Sequence, residues 1–400
     1  MREKQDKKMQ NLITSDVVIS GGGMVGAALA VALSRLGLSI TVLERQAPAP
    51  FEAQSAIDLR VSSLNLRSER WLTELGAWQN LQQMRLCPYQ YLQAGEGKAQ
   101  LRFAASEIGE RHLGHIVENN LVQLALWQQF AEPITVLTDC EITALRQDEQ
   151  GVDLTLSDDR KLHCQLLIGA DGAQSKVRQL ARIGTAGWQY QQACLVAYVD
   201  TPYPQQDITW QQFYPSGPRA FLPLPGAQAS LVWYDEAAKV KQLAALSPRA
   251  LEQAFIDAFP PELGAIKLKG SAWFPLARMQ AQQYVKGRVV LAGDAAHTIN
   301  PLAGQGVNLG FADAMLLVEQ LAANLSAGKS LTDADSLQQY QRQRRMQNTL
   351  MMGAMDVIYQ TFSRESAPLS LLRQQGLRLA AKAGMAKQLL TKYAVGNSVF

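Results

Sequence analysis

The sequence predicts an α/β chain in which a nucleotide-binding layer is joined to an antiparallel β-sheet and closed by C-terminal helices. Three observations carry that reading. Near the start, a short β-branched strand runs straight into a G-x-G-x-x-G turn and then a helix. A second apolar strand, 288–292, ends on an acid followed by small residues. Between them lies a long stretch of alternating, aromatic-rich strands, and helical patterns follow.

Composition bounds the function classes first. At 400 residues the chain has room for two to three domains, and 47% hydrophobic with 18% charged residues suits a globular protein and excludes disordered and fibrous classes. A net charge of +3, dispersed along the chain, excludes nucleic acid as a partner. Cys87, Cys140, Cys164 and Cys194 are scattered, with no C-x-x-C pair and no histidine cluster beside them. Neither a metal site nor a disulfide framework is expected from them, and a reducing cytoplasm fits. The opening MREKQDKKMQNLITSD is polar, so 1–13 is expected to be a disordered tail rather than an export signal. The apolar run Met24 to Leu33 is far below the roughly 18 residues that span a bilayer. Contact with the inner face of a membrane is compatible with this sequence; crossing one is not expected.

Taken in order, Asp16 to Ser20 forms the first strand, and Gly21, Gly23 and Gly26 supply the glycines of a Rossmann-like turn. Gly21 makes the turn, Gly23 lets backbone reach a pyrophosphate, and Gly26 lets the helix pack on the strand. That helix runs from Met24 to Leu36 and stops at Gly37. The next strand, Leu38 to Leu43, delivers Glu44 where an acid binds ribose hydroxyls. The fingerprint alone leaves NAD and FAD equally open. Arg60, in AIDLRVSSLN, is a candidate for the pyrophosphate, and a solvated loop arginine fits the pattern as well. Ser68 to Gln83 reads as one core helix, and Cys87 to Ala104 as an excursion into the second domain. Asn119 or Asn120 is expected to cap a helix that also carries the candidate Gln123.

Val152 to Leu156 and Lys161 to Gly169 read as a hairpin that opens onto GADGAQSKVR. There Asp171 orients hydroxyls, Gly172 permits close approach, and Ser175 with Arg178 offers donors to phosphate. From Trp188 to Gly270 the strands ITWQQFYP, RAFLPLP and ASLVWYDE suggest a sheet laid over the cofactor, with Trp210, Phe213, Phe221 and Trp233 as candidate substrate lining. Each of these also suits plain core. The stretch RVVLAGDAAHTINPLAGQGVNLG reads as the floor beneath a flat, electron-poor ring. Asp294 accepts hydrogen bonds from a ligand polyol at the strand's carboxyl end. Pro301, Gly304, Gln305 and Gly306 surround the ring, and Val307 and Asn308 open a helix whose positive end favours an anionic reduced flavin.

GDAAHTINPLAGQGVNLG resembles the third FAD motif of the aromatic-ring flavoprotein hydroxylases, in the branch that builds ubiquinone, and GADGAQSKVR resembles the D-G motif of the same family. QQFYPSGPRAFLPL, WQY at Trp188 to Tyr190 and SLVWYD at Ser230 to Asp235 are similar to members acting on a prenylated methoxy-methyl-benzoquinol. The resemblance implies a para-hydroxybenzoate hydroxylase-like fold with FAD, NAD(P)H as a transient reductant and O2 as co-substrate. Hydroxylation would proceed through a flavin C4a-hydroperoxide, with no catalytic acid or base assigned. It also implies an FAD-binding domain over 14–85, 106–186 and 275–335, a substrate-binding sheet over 86–105 and 187–274, and a helical segment over 336–400. Asn119, Asn300 and Ala312 stand where many relatives carry arginine, histidine and arginine. Hydroxylation of another ring position and a low-turnover flavin-bearing scaffold in a quinone-synthesis assembly remain alternatives. Tyr340 and Arg344 resemble a Y-x-x-x-R packing feature. Five basic residues and no acid between Ser366 and Phe400 fit a membrane surface, a biosynthetic complex or homo-oligomer contact, and equally an ordinary amphipathic helix.

Overall fold

The computed structural model describes residues 12–299, 306–362 and 367–382, with 384, 387, 388, 391 and 396. Its first layer is an eight-stranded sheet. Leu12–Ser20 sits at the centre, parallel to Lys161–Gly169 on one side and to Ile40–Leu43 on the other. Val289–Leu291 and Ile134–Leu137 extend it, again in parallel. Val17, Val18 and Ile19 are fully buried, as β-branched residues in a strand covered on both faces should be. The first strand begins at Leu12, four residues before Asp16, so Leu12 and Ile13 belong to the sheet and not to a tail. Residues 1–11 lie outside the described residues.

The helix Met24–Ser34 packs against that strand through Gly26, where an added Cβ would lie 1.8 Å from the Gly21 carbonyl oxygen. Only hydrogen fits there. The helix expected over Ser68 to Gln83 is two, Leu66–Glu74 and Ala77–Gln82, because Gly76 takes φ 78° between them. The helix Asn119–Trp127 has Glu118 at its N-cap position with no side-chain cap, while Asn120, inside the first turn, accepts the Leu121 N–H. Asn119 instead accepts a hydrogen bond from the Ser62 hydroxyl.

The second layer is also an eight-stranded sheet, ordered His297–Thr298, Lys267–Ala281, Thr185–Asp200, Gln228–Glu236, Arg219–Leu224, Ile208–Gln212, Tyr91–Glu96 and Ala99–Ala104. It is antiparallel except where Ile208–Gln212 meets Tyr91–Glu96. Cys87–Tyr89 pairs with Gly114–Glu118 in a small third sheet, and the chain joins the large sheet from Tyr91. The helices Ala237–Ala244 and Pro248–Ala258 cover one face of the large sheet, sealing Leu195, Leu231, Trp233 and Phe255 into a core. Its other face looks toward the nucleotide layer.

The helix Ala334–Phe362 ties the layers together. Tyr340 donates to the Leu291 carbonyl, and Gln341 accepts from the backbone of Tyr284 and Val285. Tyr190, on the large sheet, donates to Asp356. A last helix, Ala367–Lys382, is held on the strands Tyr91–Glu96 and Ala99–Ala104 by the Arg373–Glu96 ion pair. Lys387 beyond it pairs with Glu107. Two of the five basic residues of the tail are therefore spent on fixed contacts. All four cysteines are free and buried, and among the described residues no helix is long and apolar enough to cross a membrane.

Candidate cofactor and substrate site

A cavity of about 700 Å³ opens between the layers, a size typical of small-molecule sites. Its floor comes from Gly23, Arg60, Gly172, Asp294, Gly306 and Val307, six of the residues expected to bind cofactor. An added Cβ at Gly23 meets nothing within 4 Å, so the backbone there faces open cavity. Gly172 holds a left-handed φ of 80° and is equally unobstructed. The adjoining Asp171 uses Oδ2 to accept from the backbone N–H groups of Lys176 and Val177, while its buried Oδ1 has no partner among the described residues. Asp294 lines the cavity and its residue surface is open to it. Burial raises its carboxyl pKa, opposed by the charges of His297 and Arg60. An acceptor-rich floor with an arginine beside it and glycines under it fits a flavin dinucleotide: donors meet the phosphates, and carboxylates meet ribityl and ribose hydroxyls.

Other expected binders build the site from behind. Gly21, at φ 99°, is pressed against the Ala170 carbonyl oxygen, which joins the first glycine turn to the D-G turn. Glu44 accepts the Gly22 N–H through Oε2 at 2.6 Å and the Arg45 N–H through Oε1, keeping lone pairs for ribose hydroxyls. Gln123 is corrected to a support, because its amide donates to the Gly22 carbonyl at 2.9 Å alongside the Trp127 indole. Asn308 is corrected likewise. Its side chain accepts from Asn65 N and Ser68 Oγ and donates to the Ser63 carbonyl, pinning the helix Gly306–Ser326 to the strand Val61–Asn65. Ser175 accepts the Arg178 N–H as a helix cap, and the buried Arg178 guanidinium spans the Ala173 and Ala295 carbonyls. Neither is left to bind phosphate. Pro301, Gly304 and Gln305 lie outside the described residues, as does Asn300.

The roof is formed by residues that sequence reasoning missed: Cys194, Val196, Leu222, Ser230, Val232, Tyr234 and Phe274. None of the expected aromatic residues joins them. Phe221 and Trp233 point into the core beneath the covering helices, where Trp233 meets Phe255 at a ring distance of 5.3 Å. Trp210 stacks on Phe221 and Phe213 on Phe362, and both line a separate cavity of about 970 Å³. The reason is the two-residue period of a strand: Val232 and Tyr234 face the cavity, and the intervening Trp233 cannot. Burial pushes the Cys194 thiol and the Tyr234 phenol well up, so this hydrogen-bonded pair stays protonated. Thr298 adds a buried hydroxyl with no partner among the described residues.

The comparisons with known proteins agree with this geometry. The model of the FAD binding domain family matches residues 14–353. Over 385 residues the chain is 42% identical to the 3-demethoxyubiquinol 3-hydroxylase of Escherichia coli (strain K12), covering 96% of this chain and 98% of that one. It is 33% identical to the ubiquinone hydroxylase UbiL of Rhodospirillum rubrum, covering 96% and 90%. The crystal structure of p-nitrophenol 4-monooxygenase PnpA from Pseudomonas putida DLL-E4 superposes with a TM-score of 0.79 at 18% identity, over 97% of this chain and all of that one, which establishes the shared fold. This chain belongs to the FAD binding domain family and, within it, to the flavin-dependent monooxygenases related to the hydroxylases of ubiquinone biosynthesis.

Proposed function

We propose that the protein hydroxylates a prenylated methoxy-methyl-benzoquinol of the demethoxyubiquinol type, with O2 as co-substrate and NAD(P)H as a transient reductant. The observation that carries this reading is the division of one cavity into a polar floor at Arg60, Gly172 and Asp294 and an apolar roof at Val196, Leu222, Val232 and Phe274. FAD bound on that floor supplies the redox and oxygen-activating chemistry. The chain's own residues orient and shield. Glycine backbone and Arg60 receive the diphosphate, and Asp171 and Asp294 accept from hydroxyls. The N-terminal end of Gly306–Ser326 stabilises negative charge on the ring. Tyr234, Cys194 and Thr298 offer hydrogen bonds to the hydroxyls of a quinol lying under the roof, and the apolar wall excludes water.

The same reading places the protein at the cytoplasmic face of a membrane, where a prenylated ring is found. Support comes from apolar residues that the fold leaves outside: Met346, Leu350 and Val357 lie on one face of Ala334–Phe362, and Leu369, Leu372 and Leu379 on one face of Ala367–Lys382. Arg342, Arg345 and Arg378 are exposed beside them. Apolar stripes flanked by arginine suit an anionic lipid surface.

The test is turnover by the purified, FAD-loaded protein with short-chain demethoxyubiquinol. Quinol-dependent NAD(P)H consumption, with one oxygen atom inserted at the open ring position, supports the proposal. Turnover only of an earlier phenol moves the substrate to another ring position. No consumption while FAD remains bound supports the scaffold alternative.

A further inference from the structure

Away from the cavity, Glu69, His112 and His115 converge from two segments of chain. Glu69 lies on Leu66–Glu74, His112 precedes the strand Gly114–Glu118, and His115 lies within it. One carboxylate oxygen and two imidazole nitrogens lie within 4.8 Å of one another. His112 Nε2 is 2.7 Å from Glu69 Oε2, and His115 Nδ1 is 3.3 Å from the same oxygen. The His115 side chain is only 7% exposed, and its Nδ1 has no hydrogen-bond partner among the described residues although it is aimed into the cluster. The two imidazole rings meet edge to face at 4.4 Å. A buried nitrogen turned toward a carboxylate without a proper hydrogen bond is costly unless something else receives its lone pair.

We propose that Glu69, His112 and His115 form a binding site for a divalent transition cation of the zinc type. Two imidazoles and a carboxylate are a zinc donor set, and a tetrahedral ion with bonds of about 2.0 Å holds its ligand atoms roughly 3.3 Å apart. The His115–Glu69 spacing already has that value, and the His112–Glu69 pair needs to open by about 0.6 Å. Three side chains leave the fourth position to water. The ion would staple Leu66–Glu74 to Gly114–Glu118. The helix carries Ser68, which bonds Asn308, and the strand runs into Asn119 at the cavity wall. The role is therefore to brace the cofactor site from outside.

The experiment titrates the FAD-loaded protein with zinc chloride near pH 7, following heat and thermal unfolding midpoint. The expected result is one equivalent bound and a raised midpoint. Both are lost in His112→Gln and Glu69→Gln, with affinity falling by at least the roughly tenfold to hundredfold typical of a disturbed zinc shell. His163→Gln, which touches the only other exposed histidine–carboxylate contact among the described residues, should leave binding unchanged. The His112 side chain is partly exposed, at 23%, so its variant should keep the fold. No heat and no midpoint shift overturn the proposal, as does equal binding by the His112→Gln and Glu69→Gln proteins. Loss of binding in His163→Gln assigns the ion to the surface pair and overturns it too.

Discussion

His297 donates from Nε2 to Asp313 Oδ2 across 2.5 Å, with both side chains almost wholly buried beneath the floor of the cofactor site. The same carboxylate accepts the Gly293 N–H at 2.9 Å and the Arg344 Nε at 2.5 Å, and Asn348 adds a fourth contact. One anion thus fixes the turn that presents Asp294 and ties it to the helix Ala334–Phe362. Asp313→Asn removes the charge and leaves Arg344 buried without its counter-ion. Loss of one member of a buried pair costs about 3–5 kcal/mol. Urea unfolding near neutral pH should show a loss of that size together with weaker FAD retention, and an unchanged midpoint would falsify this account.

Acid should expose the same group. Burial pushes the Asp313 carboxyl up, but His297 and Arg344 overcome it and hold it at about 2, against an ordinary 3.8. A depressed carboxylate contributes stability that is complete above its unfolded pKa and is lost as pH falls through its folded one. The loss therefore falls between about pH 4 and pH 2 and amounts to roughly 2 kcal/mol. Urea midpoints measured from pH 6 to pH 2 should fall less steeply in that window for Asp313→Asn than for the parent; parallel curves would count against it.

Two glycines of one turn should fail differently. At Gly26 an added Cβ would stand 1.8 Å from the Gly21 carbonyl oxygen, so Gly26→Ala must part the helix Met24–Ser34 from its strand and destabilise the protein before any ligand is considered. At Gly23 the protein offers no obstacle within 4 Å, and the methyl would project into the cavity. Gly23→Ala should keep the unfolding midpoint of the FAD-free protein and bind FAD at least about tenfold more weakly, since backbone contact with the pyrophosphate is what that position serves. Flavin fluorescence titration beside a thermal melt separates the two.

The nucleotide layer was legible because each glycine, acid and strand end has a local reason to be where it is. Gly23, Arg60, Gly172 and Asp294 accordingly reached the cavity as expected. Support and contact were harder to tell apart. Gln123, Asn308 and Arg178 carry donors suited to a ligand, but backbone carbonyls from distant segments take them first. The roof was the least legible part. A strand covered on both faces shows no polar alternation, so nothing in ASLVWYDE marks whether Trp233 or Tyr234 turns inward. The small Cys194 and Thr298 carry no local signal at all.

The exposed stripe of the C-terminal helices gives a prediction separate from turnover chemistry. Leu350 is 66% exposed and Leu372 67% exposed, so replacing either by glutamate costs little folding energy while placing negative charge at the proposed lipid face. Leu350→Glu combined with Leu372→Glu should reduce co-sedimentation with anionic phosphatidylglycerol vesicles and leave FAD content and melting unchanged. Equal vesicle binding by parent and variant would remove the lipid reading, and a parent dimer that dissociates in the variant would reassign the face to a second copy.

Trp233 and Tyr234 are neighbours in sequence with opposite expected phenotypes. Trp233 is 4% exposed and sits between Phe255, Phe259 and the Arg219 guanidinium, with its indole donating to Asp235. Trp233→Ala leaves a cavity in that core and should cost about 3–5 kcal/mol of stability. Tyr234 turns the other way, its phenol protonated against Cys194 under the roof. Tyr234→Phe preserves the ring and its packing while deleting one hydrogen-bonding group, so stability should change by only about 1 kcal/mol. If that hydroxyl holds the quinol, kcat/KM for quinol-dependent NAD(P)H oxidation should fall on the order of tenfold, because a net hydrogen bond of about 1 kcal/mol or slightly more converts to that factor. Consumption of NAD(P)H and O2 that releases hydrogen peroxide instead of hydroxylating the ring is the further sign expected of a substrate no longer held in place. A Tyr234→Phe protein with parental kcat/KM and parental coupling would place the quinol elsewhere under the roof.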